Sequence, residues 1–203
     1  MPMGMKTLTV RAKYLRFTEE TNALDYLIRA GQFIKETEND LLAWKWVVIA
    51  LHGSLYGFAI CACKGTNPDN VMFGTKKGHE KLISFDKALQ LCQDHNRIKM
   101  LIHSQPLVLT DSQMNSIRLL KKELRNNFEH YSPKGWSIEV HGLPQIAIDT
   151  LVVIKFLATE TYTHVNLNQS QIKKIKSMVY QSTKLLNKTD TYREALLASR
   201  KKA

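Results

Sequence analysis

Residues 41–63 read Leu-Leu-Ala-Trp-Lys-Trp-Val-Val-Ile-Ala-Leu-His-Gly-Ser-Leu-Tyr-Gly-Phe-Ala-Ile-Cys-Ala-Cys, and their only strongly polar side chains are Lys45, His52 and Ser54. Two architectures accept such a stretch. It meets the length of about 20 apolar residues that a membrane span requires. Gly53-Ser54-Leu55-Tyr56-Gly57 adds the small-xxx-small spacing that lets membrane helices approach closely. A helix apolar on every side is equally the central member of a helical bundle. His52 and Gly53 fall mid-segment, Lys45 lies one turn in, and no second comparable span exists. The expectation is a bundle core without a membrane partner; a membrane-associated protein anchored by 41–63 is the third-ranked alternative.

The flanking sequence reads as further helices. Thr18 is placed to cap a helix whose first turn holds Glu19 and Glu20, with Leu24, Leu27, Ile28 and Ile34 at helical spacing. Asn39 or Asp40 then caps the apolar helix. Residues 64–83 carry Gly65, Asn67-Pro68-Asp69, Gly74 and Gly78, a loop with a short β-ribbon at Val71–Phe73. Ser84 opens a helix to about Gln93, and 94–109 is ambiguous up to Pro106. Thr110-Asp111-Ser112-Gln113 resembles a capping box. Its helix carries a core stripe at Ile117, Leu120, Leu124 and Phe128 until Pro133 and Gly135 stop it. Trp136–Val140 reads as a short extended piece, and Pro144 sits near the start of a helix over Ile146–Leu157. Asn168 caps a helix with Ile172, Ile175, Val179 and Leu186 on one side, and Tyr192–Arg200 forms a last helical stretch.

Charge narrows the partner. The 203 residues carry a net charge of +11, which favours a polyanion. From Val165 onward nine Lys/Arg face two Asp/Glu, a local +7. Three cysteines, Cys61, Cys63 and Cys92, form no disulfide framework, and no apolar leader follows Lys6; both points suit a reducing cytoplasm. Cys61 and Cys63 lie two apart on a helix, about 200° around it, so they cannot share a zinc ion. They read as buried free thiols. His52 reads as a satisfied core histidine, and Trp44, Trp46 and Tyr56 as packing residues. His79, His141 and His164 have no evident partner. Glycine-rich nucleotide loops, G-x-S-x-G and H-E-x-x-H are all absent.

Reactive residue types gather at Arg125-Asn126-Asn127-Phe128-Glu129-His130, preceded by the basic strip Arg118, Lys121 and Lys122. This element resembles the signature of the HEPN family, small all-α domains that include many ribonucleases: an arginine, four to six residues, then a histidine, often with Asn, Asp or His after the arginine. Arg97-x5-His103 matches the bare spacing but has Ile98 after its arginine and Pro106 close behind. The resemblance covers 18–160 and is sharpest over 124–136. It implies a HEPN-like helical bundle over 18–160; the short, mixed, basic residues 1–17 read as an N-terminal arm, extended or a short strand, and 161–203 as a basic C-terminal helical extension.

The implied activity is metal-independent cleavage of RNA to a 2′,3′-cyclic phosphate and a 5′-hydroxyl, with no cofactor. Histidine, with an unperturbed pKa of about 6.5, can move a proton at the 2′-oxygen or the 5′-oxygen. Arginine's fork can hold the phosphate. Arg125 and His130 are thus the expected catalytic pair, Asn126 an orienting residue, and Arg118, Lys121 and Lys122 the RNA-backbone contacts. Glu129 either tunes His130 or points to solvent. In an unbroken α-helix Arg125 and His130 stand about 140° apart. They meet on one phosphate only if the helix ends near Phe128 or a second copy completes the site; HEPN nucleases are generally dimers with a composite cleft. The resemblance further implies growth arrest or phage defence, with an antitoxin or regulatory protein as partner. The alternative is a non-catalytic HEPN-like module that binds RNA or a protein.

Overall fold

Three capping boxes start the helices that frame the molecule. Thr18 opens α1 (Glu19–Glu36), its hydroxyl accepting from the Thr21 N–H while Thr21 accepts from the Thr18 N–H. Thr110 and Gln113 do the same for α5 (Asp111–Arg118), and Asn168 and Gln171 for α8 (Gln169–Leu186). Each box satisfies two backbone donors that a helix start leaves unpaired. This computed structural model describes residues 13–74, 80–98, 103–130, 133, 135–161, 165–190 and 192–194; the fold is all-α, and the described residues are 69% helical and 4% strand.

α2 (Ala43–Lys64) is the centre. It packs against α1, α7 (Leu143–Thr159), α3 (Phe85–Gln93) and a π-helical turn, Leu119–Arg125. Val47, Leu51, Leu55 and Phe58 are fully buried, and 67% of its most apolar window is enclosed by the rest of the chain. Complete burial stabilises each such side chain by about 1.5–3 kcal/mol, which is why one helix can carry so much apolar surface. The helix starts later than the sequence suggests. Asp40 accepts from the Leu42 N–H at 2.8 Å, but Leu41 and Leu42 stay outside the helix and exposed.

Gly53 and Gly57 face α1. A Cβ on Gly57 would lie 2.7 Å from the Ala23 Cβ, and one on Gly53 would enter the Tyr26 ring. The small-xxx-small pair therefore lets α1 and α2 approach each other within the chain. Lys64, ending α2, pairs with Glu19 and Glu20 at the start of α1, at 3.5 and 3.4 Å, so the two helices run antiparallel. Gly65 closes α2 with a φ of 56°, a conformation that costs other residues strain.

Beyond α2 a 3-10 turn (Pro68–Val71) leads into β1 (Met72–Gly74), which pairs antiparallel with β2 (Glu80–Leu82). Ser84 caps α3, and α4 (His95–Ile98) is a single turn within the ambiguous 94–109 segment. α5 runs on through the π turn into α6 (Asn126–Glu129), where the sequence suggests one uniform helix. Its stripe Ile117, Leu120 and Leu124 is buried, while Phe128 is half-buried against Trp136, ring centroids 5.0 Å apart. Trp136–Val140 pairs with no strand among the described residues.

α7 is tied to α5 by the buried Asp149, whose carboxylate accepts from Ser112, Ser116 and Gln145. α8 packs on α1 and α7, placing Ile175, Val179 and Leu186 in the common core and leaving Lys173, Lys174, Lys176 and Lys184 exposed. His141 pairs with Glu194 at 2.9 Å, a contact the sequence gives no sign of. Residues 1–12 of the arm, Met100–Ile102, Tyr131, Ser132, Lys134, His79, His164 and the end of the last helical stretch lie outside the described residues.

Candidate functional site

The Arg125 element opens onto a cleft. Lys121 and Arg125, four residues apart on the π turn, stand about one turn apart and so share a side. They form one wall of a cleft of about 550 Å³, with Glu19, Asn22 and Tyr26 of α1, His52 and Tyr56 of α2, and Leu82, Ser84 and Phe85 around it. Glu129 of α6 completes this wall. π turns accommodate an extra residue at a local cost in hydrogen-bond geometry and recur at functional sites.

Arg125 is held but not consumed. Its Nη1 donates to the Asn126 side-chain oxygen at 3.2 Å and its Nη2 pairs with Glu129, yet Nε is buried without a partner. Asn126 thus orients the arginine, and Glu129, exposed on α6, pairs with that arginine. Lys121 pairs with Asp86 of α3 and lies 5.6 Å from the Phe85 ring centre. It joins the cleft to a second, smaller groove of about 290 Å³, lined by Arg118, Lys122, Asp86 and the apolar Leu89, Leu109 and Met114. Arg118, Lys121 and Lys122 thus line one groove, where Arg118 pairs with Glu123 and Lys121 with Asp86, and Lys121 joins that groove to the Arg125 cleft.

His130 is elsewhere. α6 ends at Glu129, one residue past Phe128, and His130 turns into an extended conformation, φ −103° and ψ 108°. It is exposed and is not among the residues lining the cleft. One chain therefore brings Arg125, Asn126, Lys121 and Glu129 together, but not His130. Arg97, of the rival spacing, sits on the four-residue α4, and His103 is exposed beyond the undescribed residues 99–102.

The histidine beside Arg125 is His52, which the sequence suggests is a satisfied core residue. Buried it is, at 8% exposure, but its Nε2 has no hydrogen-bond partner. Among the described residues three buried side-chain polar atoms lack a partner, His52 Nε2, Ser54 Oγ and Arg125 Nε, and two of their residues line this cleft. Burial, then the charges of Arg125 and Lys121, lower the His52 pKa to about 4 against a smaller opposing pull from Asp86. It is neutral at pH 7, so it offers a donor and an acceptor rather than a charge. Its ring lies 4.8 Å from Phe85, and Phe85 lies 5.9 Å from Tyr56, whose hydroxyl donates to the Ile83 carbonyl. The sequence signal that could have raised this site is a lone imidazole one turn before a tyrosine in an otherwise apolar helix. Nothing in sequence marks Tyr26 or Glu19 as their neighbours.

The cysteines form a separate pair. Cys63 and Cys92 bring their sulfurs to 3.4 Å between α2 and α3, while Cys61 is buried apart, its thiol pushed up to about 12 by desolvation and the nearby Glu20. Among the described residues no group of three His, Cys, Asp or Glu is arranged as a metal would need. Comparison with protein-family models, curated proteins and solved structures finds no match for this chain.

Proposed function

We propose that this protein is a HEPN-like, metal-independent endoribonuclease that acts as a dimer. The observation that supports the reading is the run of cations Arg118, Lys122, Lys121 and Arg125 along two adjoining grooves, ending in a cleft where an arginine donor is unpaired. A tracked phosphate backbone accounts for such a path, and a held phosphate for its end. In the proposed reaction His130 takes the 2′-hydroxyl proton as the 2′-oxygen attacks phosphorus. The bond to the 5′-oxygen breaks, that oxygen takes up a proton, and Arg125 stabilises the charge on the phosphoryl oxygens. His130 lies outside the cleft of its own chain, so the second copy supplies it, as a two-fold arrangement allows. Growth arrest or phage defence in the cytoplasm, under an antitoxin or regulatory partner, is the setting that the Arg125–His130 resemblance suggests.

Wild-type protein and the Arg125→Ala and His130→Ala variants, each incubated with RNA in EDTA, test the proposal. Cleavage by the wild type alone, leaving cyclic-phosphate ends, supports it. Equal cleavage by all three, or none by the wild type, overturns it. The exposed position of His130 favours a second reading, a non-catalytic RNA-binding module. RNA binding with a steep salt dependence and no cleavage selects that reading.

A further inference from the structure

We infer that the His52–Arg125 cleft is a nucleotide subsite that takes one base and its single phosphodiester. Arg125 and Lys121 would face the phosphate, and His52 would hydrogen-bond the base edge beside the rings of Tyr26, Tyr56 and Phe85. The inference rests on the RNA reading only for the source of the nucleotide, an RNA strand rather than a free metabolite.

Four observations lead there. The cleft, about 550 Å³, is within the roughly 300–1,000 Å³ typical of small-molecule sites. It is amphipathic in an ordered way, with cations on the π turn and aromatic rings on α1, α2 and the start of α3. Bases stack on aromatic side chains whatever their sequence, and each such contact contributes about 1–3 kcal/mol. His52 Nε2 and Arg125 Nε are buried and unpaired, and a buried polar group without a partner costs about 1–3 kcal/mol. A ligand carrying both a heterocycle edge and an anion satisfies the two at once. A simple anion would serve only Arg125, and an apolar ligand neither.

Charge decides how many phosphates fit. Arg125 is already paired with Glu129, Lys121 with Asp86, and the cleft also holds Glu19. These cations are matched by carboxylates, and Glu19 is itself paired with Lys64, so a ligand carrying one negative charge meets less repulsion here than one carrying several. A nucleoside triphosphate would bring several charges against Glu19 and Glu129 and is disfavoured. The inward path of Arg118 and Lys122 meets the cleft at Lys121, so the rest of an RNA strand has a route out.

The test uses the full chain and three probes: a dinucleotide with one phosphodiester, a nucleoside triphosphate, and inorganic phosphate. Binding is read by NMR from the His52 ring signals of the wild-type protein. The dinucleotide is expected to move them and to raise the His52 titration midpoint, because its charge offsets Arg125 and Lys121. His52→Phe is expected to weaken dinucleotide binding about tenfold, the loss of one buried hydrogen bond. Inorganic phosphate is expected to raise the midpoint through its charge alone and to bind His52→Phe as well as it binds the wild type; phosphate binding weakened as much as dinucleotide binding in that variant would overturn the base-edge contact.

Tighter binding of the triphosphate than of the dinucleotide overturns the inference and points to a free nucleotide. His52 signals that ignore the dinucleotide overturn it for the wild type, whether or not the variant folds. The nuclease reading stands or falls separately. Dinucleotide binding without RNA cleavage keeps the subsite and removes the enzyme. Cleavage with unaltered KM in His52→Phe and silent ring signals keeps the enzyme and removes the subsite.

Discussion

Protonating His52 should cost the protein stability in a defined pH window. The folded imidazole titrates at about 4, held down by burial and by Arg125 and Lys121, against 6.5 for the free side chain. Facing it are Arg125 and Lys121 of the π turn, Asp86 and Phe85 of α3, and Tyr56 one turn on in α2. Glu19 and Glu129 line the same cleft. Because the folded pKa is the lower one, the unfolded chain binds a proton between these values that the folded chain refuses. Stability is therefore unaffected above pH 6.5, falls as pH drops, and bears the full penalty below pH 4. The full gap corresponds to about 3 kcal/mol, and about 2 kcal/mol of it is reached by pH 5.

Carboxylates titrate in the same range, so the quantity to measure is a difference. Urea unfolding of the wild type and of His52→Phe from pH 7 to pH 5 should give curves that converge by about 2 kcal/mol in favour of the variant at low pH. An NMR titration of wild-type His52 gives the midpoint directly. Parallel stability curves, together with a midpoint near 6.5, would refute the claim that this histidine is buried beside two cations.

Three further outcomes follow from other contacts. Mixing Arg125→Ala with His130→Ala subunits should restore roughly a quarter of wild-type cleavage, since half the dimers are mixed and each holds one intact site; no recovery on mixing would place both residues in one chain's site. Gly57→Ala should cost about 1–3 kcal/mol because its Cβ meets the Ala23 side chain and backbone, whereas Gly31→Ala should cost less because the atoms in the way are the flexible end of Met178 and the Ser182 hydroxyl; equal losses in thermal melts would contradict the close approach of α1 and α2. Peroxide at mildly alkaline pH should slowly join Cys63 to Cys92, the two thiols losing two protons and two electrons as peroxide becomes water; slowness follows from the Cys92 thiol, raised by its hydrogen bond with Cys63 and by burial, and a peptide map linking Cys61 instead would be the contrary result.

Local features were readable because their physics is local. Thr18, Thr110 and Asn168 start helices because their side chains reach backbone donors three residues on, wherever those helices later pack. The burial of Ile117, Leu120 and Leu124, of Ile175 and Val179, and of most of α2 follows from apolar spacing. Pro133 and Gly135 announced the end of the Arg125 helix near Phe128. The π turn was not legible: apolar spacing of three and four accommodates bonds to the fourth or the fifth residue alike, and packing selects between them.

Sequence by itself thus determined an all-α chain with one central apolar helix, the starts of α1, α5 and α8, and the clustering of Arg118, Lys121, Lys122 and Arg125. Tertiary structure alone decided what those groups face. It set Gly53 and Gly57 against α1, paired Arg125 with Glu129, left His130 out of the cleft lining, and buried the His52 Nε2 without a partner beside two cations. The reason is range. Capping and periodicity act over three or four residues, whereas the His52 environment is set by residues 73 and 69 positions further along the chain, Arg125 and Lys121.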